Sequence, residues 1–410
     1  MVPASAALIL VTARLLHLGG QATGAFVGRG LLFVGAFSLL QLAVGHRVPA
    51  FEGPSSVTLA ALIFALHRAG SIHPVAATVG ALLVSGAVLA GLGVTGALRA
   101  LQRAYTPFVN GVFLLLLSGS IVWELLPATL HASRGPSGAA PVALAVVVLA
   151  TLALERWGGR PWRAVSILAG FAGGLMVFLI AGSLGQPIAP AALSHLGAGL
   201  RPLRPAFPPG IVVPVAAMAV LVALNALASI KAVGAARGEG VDESSFRRAL
   251  VVTGLSHATQ GLFLGTASVP HAESASLAGR HPRSDRPSLA VGSLLTCGVG
   301  LAQPAVAFLL RLPVALADDV FVAIMLTLAL AGVRELVRAR RNVGRWITLA
   351  VAIGGWALLM PGRVAWLPAA LAYMTLSPML VGVSVALAGE ALTRAARDGR
   401  ARTRAPSSSS

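Results

Sequence analysis

The sequence predicts an all-α polytopic membrane protein with fourteen transmembrane segments, and three observations carry that prediction. The first is composition: 56% of the 410 residues are hydrophobic and 11% are charged, with a mean hydropathy of +0.84. Soluble proteins carry roughly 25% charged residues, so a soluble chain this poor in charge would leave much apolar surface uncovered. The second is a division into apolar runs, several near the roughly 20 residues that cross a bilayer as one helix. The third is a short pattern, Val-Pro-x-x-Glu followed by serines, that interrupts the apolar sequence twice. It reads Val48-Pro49-Ala50-Phe51-Glu52-Gly53-Pro54-Ser55-Ser56, then Val269-Pro270-His271-Ala272-Glu273-Ser274-Ala275-Ser276, with the two glutamates 221 residues apart. Proline removes a backbone donor, and a carboxylate in an apolar phase is costly.

In order, the apolar runs predict spans at 3–19, 25–45, 55–67, 75–96, 106–127, 139–155 and 164–184. After the polar loop 185–209 come 210–230, 249–265, 268–279, 288–310, 315–333, 345–361 and 365–390. The third and tenth are too short to cross as full helices, and they carry or adjoin the repeated pattern. Backbone that is not helical is tolerated at membrane depth only where protein or a cavity covers it. These two segments are therefore expected to lie inside the protein and to face each other. The 46 glycines and 25 prolines suit closely packed, broken helices.

Basic residues punctuate the spans and orient them. With the N-terminus in the cytoplasm, cytoplasmic segments hold 23 of the 31 Lys and Arg residues, from Arg47 after the second span to Arg394–Arg404 after the last. The opposite side holds Arg14, Arg29, Arg68, Arg134, Arg201, Arg204, Arg311 and Arg363. This bias follows the positive-inside rule and places both termini in the cytoplasm. Seven spans on each side of the 185–209 loop give an odd number per half, which inverts the second half. A 7+7 inverted repeat with short segments at matching positions points to a transporter's substrate site. The net charge of +18 thus sets topology, and nucleic acid is not an expected partner. Lys231 is the single lysine and Cys297 the single cysteine, so no intrachain disulfide can form. The first twenty residues lack a basic n-region, so no cleaved signal peptide is expected. The tail 393–410, basic and then Ser-rich, is expected to be disordered.

Four stretches carry a family resemblance. They are Leu31–Gln41, Arg47–Ser56, Ala272-Glu273-Ser274, and Leu312-Pro313-Val314 with the run that ends at Gly332-Val333-Arg334. In order and spacing they resemble the nucleobase/ascorbate transporters, which include the uracil and xanthine permeases, over roughly positions 20–340. The resemblance implies a core domain (1–100 and 208–312), a gate domain (101–207 and 313–392), and substrate between half-spans 3 and 10. It implies transport of a nucleobase such as uracil, xanthine or another purine with a proton or sodium ion, in a bacterial inner membrane. No other cofactor is implied, and a homodimer through the gate domain is consistent with it. Three departures stand out. Ala228, in Asn225–Ile230, falls where the family has a span 8 glutamate; Ser274 replaces an asparagine; and Met1-Val2-Pro3 resembles the middle of the family's first span. The last leaves either a misassigned start or a shortened first helix.

The candidate site follows. A carboxylate accepts two parallel N–H bonds from a nucleobase, and half-helix N-termini offer backbone N–H groups to its carbonyls. Glu273 is the candidate carboxylate, with Ser274, Glu52, Ser55, Ser56 and Asn225 as further substrate-binding candidates. Ser55, Ser56, Ser274 and Ser276 either donate hydroxyls or cap helices. Asn225 contacts substrate or a neighbouring helix. Glu52 either replaces the missing span 8 carboxylate or caps the third half-helix. Glu273, Glu52 and His271 are the proton-coupling candidates. His257 reads as a packed histidine, and Asp318-Asp319 as a dipole pairing at the start of span 12. Trp157, Trp162, Trp346 and Trp366 read as interfacial anchors, and Gly173-Gly174 as a helix-packing contact. No nucleotide-binding loop, metal-ligand cluster or hydrolytic triad is written in the chain. Two rivals remain: a sulfate/bicarbonate-type anion exchanger on the same architecture, and a non-transporting paralogue.

Overall fold

The computed structural model describes residues 2–69, 73–97, 105–132, 138–159, 162–163, 165–184, 201–276, 278, 282–339, 343–359 and 377–404. In the first half the helices are α1 (Val2–Leu15), α2 (Gly20–Ala43), α3 (Ser56–Ala69), α4 (Pro74–Thr95), α5 (Pro107–Ala132), α6 (Ala139–Trp157) and α7 (Ser166–Ile180). The second half holds α8 (Pro209–Arg237), α9 (Glu243–Leu262), α10 (Pro282–Leu301), α11 (Gln303–Arg311), α12 (Val314–Ala339), α13 (Val343–Leu359) and α14 (Pro378–Arg404). Two three-residue strands, β1 (Glu52–Pro54) and β2 (Ser268–Pro270), and a 3₁₀ turn at Ala272–Ser276 complete the described elements.

Among the described residues, six helices are long and apolar enough to cross a membrane. α1, α3, α7 and α13 are shorter and apolar. α3 has 14 residues, about 21 Å of helix, against a hydrocarbon core of about 30 Å. The expected eleventh span is not one helix. It is α10 and α11, bent by 80° at Ala302, with Pro304 in the first turn of α11. Proline fits a first turn and disrupts a helix interior, so the chain breaks there. The expected disordered tail is also different: α14 runs to Arg404. Much of the 365–390 span and of the 185–209 loop lies outside the described residues, as does Trp366.

The helices pack in two groups. In one, α4 lies along α9 and α8, α2 along α10, and α3 along α8. In the other, α5 packs on α12 and α14, α6 on α7 and α12, and α13 on α14. α1 touches both, through α2 and α12. Small residues set the closest approach. A Cβ on Gly86 of α4 would fall 2.5 Å from the Gly254 carbonyl of α9, and one on Gly254 equally close to the Gly86 carbonyl. Gly173 and Gly174 press likewise on Val146 and Val147, as a packing contact should.

Several buried polar groups are tied to a neighbouring helix. His257 bonds Ser85 at 3.0 Å and is packed, as expected. Arg345 clamps Glu390 between α13 and α14 at 2.8 and 3.0 Å. Trp157, Trp162 and Trp346 are exposed on the protein surface, where interfacial anchors belong. The dipole reading of Asp318 and Asp319 fails. They are the fifth and sixth residues of α12, beyond the first turn in which the dipole acts. Asp318 instead takes both nitrogens of Arg14 from α1, at 2.7 and 2.8 Å.

Candidate functional site

The two short segments meet as strands. Gly53 and Val269 each precede a proline, which drives the preceding residue toward extended backbone. β1 and β2 pair antiparallel, with Glu52 opposite Pro270, Gly53 opposite Val269 and Pro54 opposite Ser268. The flanks extend the pairing: the His271 N–H donates to Phe51 O at 3.0 Å, and the Ser55 N–H to Ala267 O at 2.7 Å. The Ser274 hydroxyl accepts the Phe51 N–H at 2.9 Å.

This pairing corrects the repeat as read from the sequence. Glu52 stands opposite Pro270 in the ladder, and Glu273 falls beyond the end of β2. The two glutamates, 221 residues apart, are therefore not cross-strand partners. The carboxylate of Glu52 is in a strand, whereas Glu273 lies in the 3₁₀ turn that follows β2.

A cavity of about 260 Å³ lies against this strand pair, between the two helix groups. Phe51, Gly53, Pro54, Val269, Pro270 and His271 form its strand side. Asn225 and Ser229 from α8, Ser56 from α3 and Ser5 from α1 supply hydroxyls and one amide. Leu117 of α5 and Phe321 and Met325 of α12 close the apolar wall. No Arg, Lys, Asp or Glu is among these described lining residues. The His271 ring sits over Gly53, where a Cβ would come within 2.6 Å of Nε2, and Nε2 lies 3.3 Å from Pro54 O.

Of the expected site residues, Ser56, Asn225 and His271 line the cavity. Ser55, Ser274 and Glu52 do not. Ser55 caps α3: its hydroxyl accepts the Thr58 N–H at 3.2 Å, three residues on. Ser274 is committed to Phe51 backbone. Glu52 is fully buried on the other side of its strand, so it does not replace a span 8 carboxylate at the cavity and does not cap α3. The backbone of Glu273 follows Ala272, which lines the cavity; its side chain lies outside the described residues. Ser5, Ser229, Phe51 and Phe321 were not anticipated. Ser229 carried a signal, since it falls one helical turn after Asn225 and so shares its face. Ser5 and Phe321 carried none, because only packing brings α1 and α12 to the cavity.

The profile described as "Permease family" matches residues 3–358 of this chain. The chain belongs to the xanthine/uracil permease family. Among curated relatives, the permease is 24% identical over 310 residues to the Bacillus subtilis (strain 168) protein named "Putative purine permease YwdJ", covering 72% of this chain and 70% of the relative. Among solved structures, it resembles the transmembrane domain of a cyanobacterium bicarbonate transporter, BicA, with a TM-score of 0.54, 16% identity and 95% of each chain covered. It also resembles the murine anion transporter Solute Carrier 26 family member A9 in the inward-facing state, with a TM-score of 0.60 and 14% identity over 97% of this chain and 66% of that one. At these identities the two structures speak to the fold of the permease alone. That fold is a multi-pass membrane transporter fold.

Proposed function

We propose that this permease is a secondary active transporter of nucleobases, purines foremost, driven by co-transported protons. The observation that carries the reading is the cavity between the two helix groups, floored by β1 and β2 and lined by Asn225, Ser56, Ser229 and His271. Its volume lies below the roughly 300–1,000 Å³ of sites for drug-sized ligands, which suits a compact solute. A nucleobase presents N–H donors beside carbonyl acceptors on a flat ring. The Asn225 amide offers both a donor and an acceptor, and each serine hydroxyl offers either. Ser56 begins α3, whose first backbone N–H groups lack intrahelical partners and favour a carbonyl oxygen. Glu273 is the proposed carboxylate for paired ring N–H groups, because the residue before it lines the cavity.

Preference for a purine rests on the Bacillus relative named as a purine permease. An anionic substrate has less support, since neither Arg nor Lys is among the described residues lining the cavity. In this reading the group containing α2–α4 and α8–α10 is the core, and the group containing α5–α7 and α12–α14 is the gate. Core moves against gate to expose the cavity to each side in turn. The chain sits in the bacterial inner membrane with cytoplasmic termini, in keeping with the distribution of its arginines.

Radiolabelled uptake of a panel of purines, uracil and small anions into a permease-deficient bacterium tests the reading. Purine uptake that is abolished by a protonophore and indifferent to sodium is the expected result. Uptake of bicarbonate or sulfate alone, or of nothing in the panel, would overturn it.

A further inference from the structure

Glu52 and His46 stand apart from the cavity, and neither has an assigned role there. Side chains of a strand alternate between its two faces. Phe51 and Gly53, on either side of Glu52, line the cavity, and Glu52 does not. Its side chain is fully buried behind the strand pair. The Glu52 N–H donates to Ser38 Oγ of α2 at 3.0 Å. Ser268, diagonal to Glu52 across the pair, belongs to a buried polar cluster with Ser256 at 2.7 Å and Gln260 at 3.0 Å.

His46 is the partner. Its Nδ1 accepts the Val48 N–H at 3.2 Å, so a neutral ring carries its hydrogen on Nε2. That Nε2 lies 4.0 Å from Glu52 Oε1, and both side chains are 0% exposed. Among the described residues His46 Nε2 makes no hydrogen bond, and the Glu52 carboxylate, with no partner at close hydrogen-bonding distance, is approached by the Ser268 side chain. A lone buried carboxylate is costly, and one proton taken up by Glu52 makes the pair with the neutral imidazole uncharged. Buried Arg29 lies on α2 nine residues, about two and a half turns, before Ser38. Several other charged groups on the surrounding elements are directed elsewhere. Arg47 is exposed and turns to Ala43 O, Arg248 of α9 reaches Gly45 O, and His257 of α9 bonds Ser85. Arg14 of α1 pairs with Asp318, Lys231 of α8 lies over the Phe246 ring, and His271 faces the cavity.

We infer that Glu52 and His46 form a proton-binding site on the face of the β1–β2 pair opposite the solute cavity. One proton enters from water near exposed Arg47, binds the Glu52 carboxylate that the His46 Nε2–H faces, and returns to water on the other side of the membrane. Solute and proton then occupy two faces of the same strand pair, one residue apart along the chain. A change of charge at Glu52 acts on the backbone of Phe51 and Gly53, which the solute touches. The site rests on the transporter reading for its role, but its occupancy by a proton does not.

The test uses the full chain in proteoliposomes, with Glu52→Gln and His46→Gln variants. Infrared difference spectra between acid and alkaline pH read protonation of a buried carboxyl without any solute. The wild-type carboxyl band is expected to vanish in Glu52→Gln and to titrate at a different pH in His46→Gln. Purine accumulation driven by a pH gradient is expected to fall in Glu52→Gln to its level without a gradient, while exchange of labelled for unlabelled purine persists. A band unchanged in Glu52→Gln, or gradient-driven accumulation equal to wild type, overturns the inference. If Glu52→Gln does not fold, an unshifted band in His46→Gln overturns it. A wild type that moves no purine defeats the nucleobase reading, and the infrared titration still decides the proton site.

Discussion

Under the proposed function Asn225 and Ser229 report most directly on solute recognition, because both line the cavity from one face of α8. Replacing either with Ala removes about one hydrogen bond, roughly 0.5–1.5 kcal/mol. The uptake KM should rise by up to about tenfold in each variant, with kinetics of the panel purine as the measurement. Gly53→Ala is a different probe. The added methyl meets the end of the His271 ring, which can swing aside, so the protein should fold normally while purine affinity falls. A Gly53→Ala variant with wild-type KM would show that His271 does not contact solute. Ser55→Ala, by contrast, loses the α3 cap. It should lower thermal stability by about 1 kcal/mol and leave KM unchanged, a pairing of results that separates capping from binding. Sequence alone made Ser55 and Ser56 look alike, as successive serines after Pro54. The Ser55 hydroxyl is taken up by the Thr58 N–H, whereas Ser56 lines the cavity.

At the scale of elements, α1 and α12 are joined by the Arg14–Asp318 pair, in which Asp318 is 2% exposed and Arg14 41%. Breaking a fully buried pair costs roughly 3–5 kcal/mol, and the exposed guanidinium places this one below that range. Arg14→Ala leaves Asp318 buried without its partner and should lower the melting temperature in detergent more than Asp318→Asn does. A double-mutant cycle measures the coupling. The α4–α9 contact is stricter still. A side chain at Gly86 meets backbone carbonyl oxygen, which cannot swing aside, so Gly86→Leu should yield no folded protein in the membrane fraction. Most helix positions were legible from hydropathy, since each span had to satisfy its own backbone. The break at Ala302 was not, because an apolar run of adequate length does not disclose that its second part turns by 80°.

For the whole molecule, the proposed mechanism requires motion of one helix group against the other. Cysteines introduced as Arg14→Cys and Asp318→Cys in a Cys297→Ser background can be bridged by a short reducible bifunctional reagent. Bridging should arrest purine uptake, and reduction should restore it; full uptake in the bridged protein would mean that α1 and α12 move together. The sequence by itself determined that this chain lives in a bilayer, where most of its helices lie, and that two short, proline-marked segments interrupt it; it did not give the strand and 3₁₀ turn that stand where a span at 268–279 was expected, nor a last helix running to Arg404. What it determined follows from hydropathy and from proline's missing donor, both properties of local sequence. Only the tertiary structure decided how those segments match. Register depends on backbone hydrogen bonds between residues more than two hundred apart, and a slip along a strand changes which face each side chain occupies. That is why two glutamates with the same surroundings in sequence ended in different places, one in a turn beside the cavity and the other buried behind it.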